Sequence, residues 1–279
     1  MYFTVKSSGA TPTHVIQSQG GDSVYAVTSL DDDVFIVRCR SQQVEVYDAV
    51  TFTLQRHIIV PELGSVAYGI IACATNRCIY LSDFCHSRVH RVDVSGSNVV
   101  KKWSVARFPV GLSVNKAHNL VVTCSGAKTL QEYTTHGTLV REICLHASVR
   151  DPWHAIQLST GDYVVCQYTS PGVVSVVGVH GKVVSSYGQS PLQTSDVGQM
   201  TYPTSLAVTK NDDFLVADEV NNRILSINRS TGCVQELALS VSGGMQWPYG
   251  LCLDESRRRL YVAECGKQKR VLVFDAVKL

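Results

Sequence analysis

The sequence predicts an all-β fold, a six-bladed β-propeller of four-stranded antiparallel blades closed by an N-terminal strand, and three observations predict it. A short apolar strand opening on a turn-like residue recurs along the chain, polar turns divide each repeat into further β-rich runs, and no long helical pattern occurs. The 279 residues are 45% apolar and only 17% charged. That is less charge than the roughly 25% of an average soluble domain, so the chain can fill one large core and is neither disordered nor dependent on staples.

The first strand of each repeat is Ala67-Tyr68-Gly69-Ile70-Ile71, Pro109-Val110-Gly111-Leu112-Ser113-Val114, Trp153-His154-Ala155-Ile156-Gln157-Leu158, Pro203-Thr204-Ser205-Leu206-Ala207-Val208 and Pro248-Tyr249-Gly250-Leu251-Cys252-Leu253, with Ser23-Val24-Tyr25-Ala26-Val27 a degenerate sixth. Ala26, Ile70, Leu112, Ile156, Leu206 and Leu251 then lie 44, 42, 44, 50 and 45 residues apart, the period of a four-stranded unit. Blades start near residues 24, 68, 110, 154, 204 and 249 of one domain spanning 1–279. Polar turns such as Asp31-Asp32-Asp33 and Asn211-Asp212-Asp213 lead into second strands at Val34 to Val37, Cys78 to Ser82, Leu120 to Thr123, Tyr163 to Cys166, Phe214 to Ala217 and Leu260 to Ala263.

Third strands follow at Val44 to Tyr47, Val89 to Val92, Leu130 to Tyr133, Val173 to Val177, Ile224 to Ile227 and Val271 to Phe274, with an alternation that leaves one face wet. Fourth strands are less apolar, as in Phe52-Thr53-Leu54, Leu139 to Ile143 and Val183 to Tyr187. Six such units cannot each bury both faces alone, and stacking them in a ring leaves no end unit to cap. The last unit stops after its third strand, so residues 1–17 supply the missing one, either His14-Val15-Ile16 or Tyr2-Phe3-Thr4-Val5.

Twenty-five Lys and Arg against 23 Asp and Glu give a formal charge of +2, too small to drive the whole chain onto nucleic acid or membrane, so any basic site is local and no DNA partner is expected. The longest apolar stretch, Val66 to Ala74, is about half the length of a spanning helix, and Met1-Tyr2-Phe3-Thr4-Val5-Lys6 has no secretory pattern. The chain reads as cytoplasmic. Its ten Cys are scattered, three of them inside apolar strands at Cys73, Cys166 and Cys252, and read as free thiols; the closest set, Cys73, Cys78 and Cys85, fits no zinc spacing.

The segments Tyr202-Pro203-Thr204-Ser205-Leu206-Ala207-Val208, Phe214-Leu215-Val216-Ala217-Asp218 and Asn221-Asn222-Arg223-Ile224-Leu225-Ser226-Ile227, with Trp247-Pro248-Tyr249-Gly250-Leu251, Leu260-Tyr261-Val262-Ala263-Glu264 and Arg270-Val271-Leu272-Val273-Phe274-Asp275, resemble NHL repeats. The resemblance is strong at Leu206 and Leu251, fair at Ile70, and weak at Ala26, Leu112 and Ile156. The Asp after the second strand survives as Asp83 and Asp218 but is Arg38, Cys124, Gln167 and Glu264 elsewhere. The resemblance extends to the C-terminal NHL module of tripartite-motif ubiquitin ligases and implies binding of a protein or single-stranded RNA on one flat face, as the targeting part of such a ligase. NHL propellers also form an amidating lyase, and related propellers are calcium-dependent lactonases, so a propeller enzyme with a channel metal is the alternative.

Loops joining second to third strands, and loops joining blades, emerge on one propeller face. Its candidate binding residues are the aromatics Tyr68, Phe108, Trp153, Tyr202, Trp247 and Tyr249, the cations Arg88, Lys128, Arg223, Lys267 and Arg270, and His154. Aromatic faces stack on splayed bases while cations meet phosphates, which suits single strands. The competing reading makes the aromatics wedges between blades, and pairs Arg88 with Asp83 and Arg223 with Asp218. His154 offers a general base beside the channel but has no nucleophile or carboxylate placed with it in sequence. His86 and His90 face one side only on a helix, and none is predicted there, so they do not read as a metal pair. Arg257-Arg258-Arg259 reads as a solvated turn on the opposite face. No catalytic residue, metal ligand or cofactor is assigned.

Overall fold

Runs of β-branched residues broken by tight polar turns leave the chain no helical option. In the computed structural model, which describes residues 9–17, 22–96, 98–188 and 198–275, these runs form 24 strands and no α-helix. Strand β1 is His14–Ile16. Blade 1 is β2 (Val24–Leu30), β3 (Asp33–Arg38), β4 (Gln43–Asp48) and β5 (Leu54–Ile59), and blade 2 is β6 (Ile70–Cys73), β7 (Cys78–Asp83), β8 (Arg88–Asp93) and β9 (Val100–Ser104). Blade 3 is β10 (Pro109–Val114), β11 (Leu120–Cys124), β12 (Thr129–Tyr133) and β13 (Leu139–Cys144), and blade 4 is β14 (Pro152–Gln157), β15 (Tyr163–Gln167), β16 (Val173–Val177) and β17 (Val183–Tyr187). Blade 5 is β18 (Pro203–Val208), β19 (Phe214–Asp218), β20 (Arg223–Ile227) and β21 (Val234–Glu236). Blade 6 is β22 (Pro248–Asp254), β23 (Arg259–Glu264) and β24 (Val271–Asp275), completed by β1.

The sheets are antiparallel throughout, and the innermost strands β2, β6, β10, β14, β18 and β22 contact one another in sequence around the ring. Closure falls to His14-Val15-Ile16, which pairs with Val273, Leu272 and Val271. The other candidate, Tyr2 to Val5, lies outside the described residues.

Six apolar clusters make the core, and each lies between two consecutive blades. Phe35 and Ile79 meet between blades 1 and 2, and Cys166 and Phe214 between blades 4 and 5. Each such fully buried side chain contributes about 1.5–3 kcal/mol, so the blades stabilise one another rather than themselves. The polar strands β9 and β21 go to the rim, where they are half to fully exposed.

Inner strands converge tightly enough that Gly111 and Gly250 have no room for a side chain; a Cβ would stand 2.6 Å from His154 and from the Tyr25 carbonyl, respectively. In five blades the register of the innermost pair slips just after the strand begins, as between Pro152 and His154 or Pro248 and Gly250. Such a bulge re-aims the adjacent side chains, here the residues that ring the channel mouth.

Candidate functional site

Two concentric rings of side chains surround the channel mouth. The inner ring comes from the start of each innermost strand and consists of Tyr25, Tyr68, Val110, Trp153, Thr204 and Tyr249. The second comes from the first residue after each second strand: Cys39, Phe84, Ser125, Tyr168, Glu219 and Cys265. Their rings join into one network. Tyr68 lies 5.2 Å from Tyr25, Phe84 and Trp153, and 6.0 Å from Tyr249. Trp153 stacks on Tyr168 at 4.5 Å, Tyr168 meets Tyr202 at 4.8 Å, and Phe84 stacks on Phe108 at 4.8 Å. Pairs at these separations contribute about 0.5–1.5 kcal/mol beyond their burial, so the mouth is a pre-organised aromatic surface.

Beneath that surface is a channel cavity of about 310 Å³, lined by the inner strands with Ile70, Leu112, Ile156, Leu206 and Leu251 among its walls. His154 stands in this wall. Its Nε2 donates to the Leu112 carbonyl at 3.0 Å and its Nδ1 accepts the Leu206 amide at 3.1 Å, which fixes the tautomer and ties blades 3, 4 and 5. Burial, only partly offset by the Leu112 bond, pushes the ring down to about 4. A neutral imidazole with both nitrogens engaged has no lone pair for a substrate proton. His154 is therefore a stitch between inner strands, as are Ser113, whose Oγ donates to the Ala155 carbonyl, and Ser205, whose Oγ accepts the Leu251 amide.

Under the loops, each blade buries a polar pair where its second strand ends. Arg38 meets Glu45, Asp83 meets His90, Cys124 meets Gln131, Gln167 meets Ser175, Asp218 meets Arg223 and Glu264 meets Arg270. In blades 3 to 6 a side-chain oxygen of the pair accepts the backbone amide of the incoming inter-blade loop: Ala106 on Gln131, Arg150 on Gln167, Thr201 on Asp218 and Gln246 on Glu264. Burial alone would raise Asp83, but bonds from His86, His90 and the Gly64 amide more than reverse this and hold it below the usual carboxylate range. These side chains fix the loops that carry the aromatic rings.

The predicted site residues divide accordingly. Tyr68, Trp153 and Tyr249 converge on the mouth, Tyr249 buried and the other two half-buried. Phe108, Tyr202 and Trp247 precede prolines with φ of 58°, 55° and 49°. Phe108 and Trp247 are 37% and 52% exposed, so they form the outer rim instead of wedging between blades. Arg223 pairs with Asp218 at 2.8 Å and Arg270 is buried against Glu264. Arg88 goes to Glu62 at 3.5 Å, because Asp83 is taken by His86 at 2.9 Å and His90 at 3.3 Å. Lys128 and Lys267 are exposed.

The Arg257-Arg258-Arg259 turn is not simply solvated: Arg257 pairs with Asp32 of blade 1, and Arg259 with Asp275. All ten Cys are free thiols, and among the described residues no group of three His, Cys, Asp or Glu is placed to hold a metal ion. Sequence reasoning missed Tyr25, Phe84, Tyr168 and Glu219. Their signal was the residue following each second strand, and for Tyr25 the degenerate first repeat.

Glu219 is the unusual member of the rings. It is only 9% exposed, its Oε1 accepts from the Cys265 thiol at 3.8 Å, and its Oε2 has no hydrogen-bond partner. Burial raises it above the usual carboxylate range, with Tyr168 and Cys265 pulling it part of the way back. Their own burial first, and the charge of Glu219 second, push the neighbouring Tyr168 up, and Cys265 up to about 12.

Residues 200–225, spanning β18, β19 and the start of β20, match the NHL repeat. No curated protein matches the chain in sequence. Among solved structures the chain is similar to a streptogramin B lyase (TM-score 0.68, 13% identity, covering 93% of this chain and 96% of that one). It is also similar to virginiamycin B lyase from Staphylococcus aureus (0.65, 11%, 92% and 97%) and to the hydrazine synthase of Kuenenia stuttgartiensis (0.66, 14%, 95% and 99%). At such identities the likeness is one of fold. The chain is a six-bladed propeller carrying an NHL repeat.

Proposed function

We propose that this propeller is a non-catalytic recognition module that binds a protein partner on its aromatic loop face. One observation carries the reading: the mouth is a continuous network of rings with Trp247 and Phe108 exposed at its rim, while Arg223 and Arg270 beside it are held by Asp218 and Glu264. Exposed aromatics around a desolvated centre are what protein interfaces use as anchors. A single-stranded RNA needs cations free to meet phosphates, and here two of the five predicted ones would first have to leave fully buried carboxylates.

The test is affinity capture with the purified chain and with a Phe108→Ala/Trp247→Ala variant, alongside anisotropy of a randomised single-stranded RNA pool over a salt series. A discrete partner retained by the native chain and lost by the variant supports the reading. Tight RNA binding that weakens linearly in log salt overturns it in favour of RNA.

A propeller lyase is the second reading, favoured by Glu219, a carboxyl that burial raises above the usual carboxylate range, at the mouth of a fold that streptogramin B and virginiamycin B lyases share. Turnover of virginiamycin B by the purified chain, abolished by Glu219→Gln, would establish it.

A further inference from the structure

Each inner strand is the free edge of its sheet, and such an edge presents unpaired N–H and C=O groups that ordinarily hold water. Here side chains from neighbouring blades take several of them. Thr28 Oγ1 accepts the Ala72 amide, Ser205 Oγ accepts the Leu251 amide, His154 bridges the Leu112 carbonyl and the Leu206 amide, and Ser113 and Thr204 donate to the Ala155 and Tyr249 carbonyls. The hydroxyls and imidazole of the channel wall are thereby engaged. Among the described residues that line the cavity none is Lys, Arg, Asp or Glu, and burial keeps His154 neutral.

The two ends of this channel differ. At the loop face Tyr68 of blade 2 reaches past blade 3 to Trp153 of blade 4, at 5.2 Å, and past blade 1 to Tyr249 of blade 6, at 6.0 Å. Tyr25 closes the remaining gap, 5.2 Å from Tyr68 and 4.9 Å from Tyr249. Rings that meet across the axis plug that end. All four stand at the start of inner strands, and no other Phe, Tyr or Trp lines the cavity among the described residues. At the far ends of those strands the wall is aliphatic, and Val114, Val208 and Leu253 are only half-buried. The channel is a pocket blind at the loop face and open towards the opposite one.

The wall sets what such a pocket holds. A charged ligand would give up its water and meet no opposite charge there, and a polar one would find the hydroxyls and the imidazole already bonded. An apolar molecule covers aliphatic surface that water wets poorly, which is the favourable exchange. The volume of about 310 Å³ lies in the roughly 300–1,000 Å³ range of small-molecule sites. We propose that the channel is a binding pocket for one neutral, largely apolar small molecule, which enters from the face opposite the aromatic loops. The site shares the underside of the ring plug with the recognition face and none of its exposed rim, so the two stand or fall separately.

The intact chain is titrated with N-phenylnaphthylamine, a neutral fluorophore that brightens in apolar surroundings, and with the anionic anilinonaphthalene sulfonate of similar shape. Saturable binding of one neutral molecule per chain is expected, at least tenfold tighter than the sulfonate. Val208→Phe, which narrows the channel, and Val114→Asp, which sets a charge in its wall, should each weaken it at least tenfold. Both positions are half-buried, and the thermal midpoint of each variant shows that the fold is kept. The Phe108→Ala/Trp247→Ala variant, altered only on the loop face, should bind the fluorophore as the native chain does. Absence of saturable binding to the native chain, or a sulfonate bound as tightly, overturns the proposal without recourse to any variant. Indifference to both channel substitutions, or loss of binding in the Phe108→Ala/Trp247→Ala variant, overturns it as well, the latter by placing the fluorophore on the recognition face.

Discussion

Gln131 Oε1 accepts the Ala106 amide at 2.8 Å, although Gln131 sits on the third strand of its blade. In blades 4, 5 and 6 the same task, receiving the amide of the incoming loop, falls to Gln167, Asp218 and Glu264 at the end of the second strand. Blade 3 has Cys124 there, too short and too weak an acceptor, and the facing strand provides the oxygen instead. What drifts between these repeats is the residue; what persists in blades 3 to 6 is a buried acceptor beneath the incoming loop.

Replacing Gln131 by Leu strands the Ala106 amide and removes the acceptor of the Tyr133 hydroxyl at 2.8 Å. A buried donor left unmet costs about 1–3 kcal/mol. The urea midpoint of Gln131→Leu should fall accordingly with an unchanged slope; an unaltered midpoint would mean that water replaces the glutamine.

His154 sets an acid limit. Its folded value, about 4, lies below the ordinary 6.5, so between those values the unfolded chain binds the proton and the native ring does not. Stability therefore rises with pH across that window and is lost as pH falls from about 6.5 towards 4, by on the order of 3 kcal/mol in all. Chemical denaturation from pH 4 to 7 should show this slope, and His154→Gln should flatten it.

Arg38 and Glu45 form a buried pair at 2.6 and 2.8 Å, with Arg38 Nη1 unmet. Removing one partner of such a pair costs about 3–5 kcal/mol, whereas replacing both by apolar residues is near neutral. Arg38→Met should lower stability by that amount. The Arg38→Met/Glu45→Met double variant should recover all of it but the bond that the Tyr47 hydroxyl gives Glu45.

Trp247 holds a left-handed backbone at φ 49° while more than half exposed. That conformation costs a non-glycine residue about 1–2 kcal/mol, and its amide bond to Asn222 Oδ1 does not involve the indole. Trp247→Gly should keep or raise the thermal midpoint while abolishing partner capture. A chain that instead unfolds would make the indole a structural residue.

The period, the blade order and closure by an N-terminal strand were legible because each follows from apolar faces that must meet a neighbour; the choice of His14–Ile16 over Tyr2 to Val5 was not. The inner-ring aromatics Tyr68, Trp153 and Tyr249 were legible for the same reason: they stand at a fixed offset from those faces. Strands β9 and β21 were not, since Val100–Ser104 and Val234–Glu236 lie at the rim and need no apolar alternation. Nor was the fate of the cations. Arg88 and Lys102 both reach Glu62, a loop residue 26 and 40 positions away in sequence, and no spacing rule predicts such a meeting. Glu219 was hidden because no spacing announces that it lacks the ion pair which the other buried carboxylates among the described residues have.

The pairing of β1 with β24 also orders events in time. Thr13 and Val273, joined by a backbone hydrogen bond at 2.8 Å, are separated by 260 residues, so during synthesis the first of these strands waits for the last. Five blades can assemble from neighbours as they emerge, but the sixth is incomplete until the final hairpin is free of the ribosome. Between its emergence and its pairing with β1, β24 exposes its outer edge, a template for any passing strand. The nascent chain is at its most adhesive just before the ring shuts, and a short segment, three residues long, ends that interval.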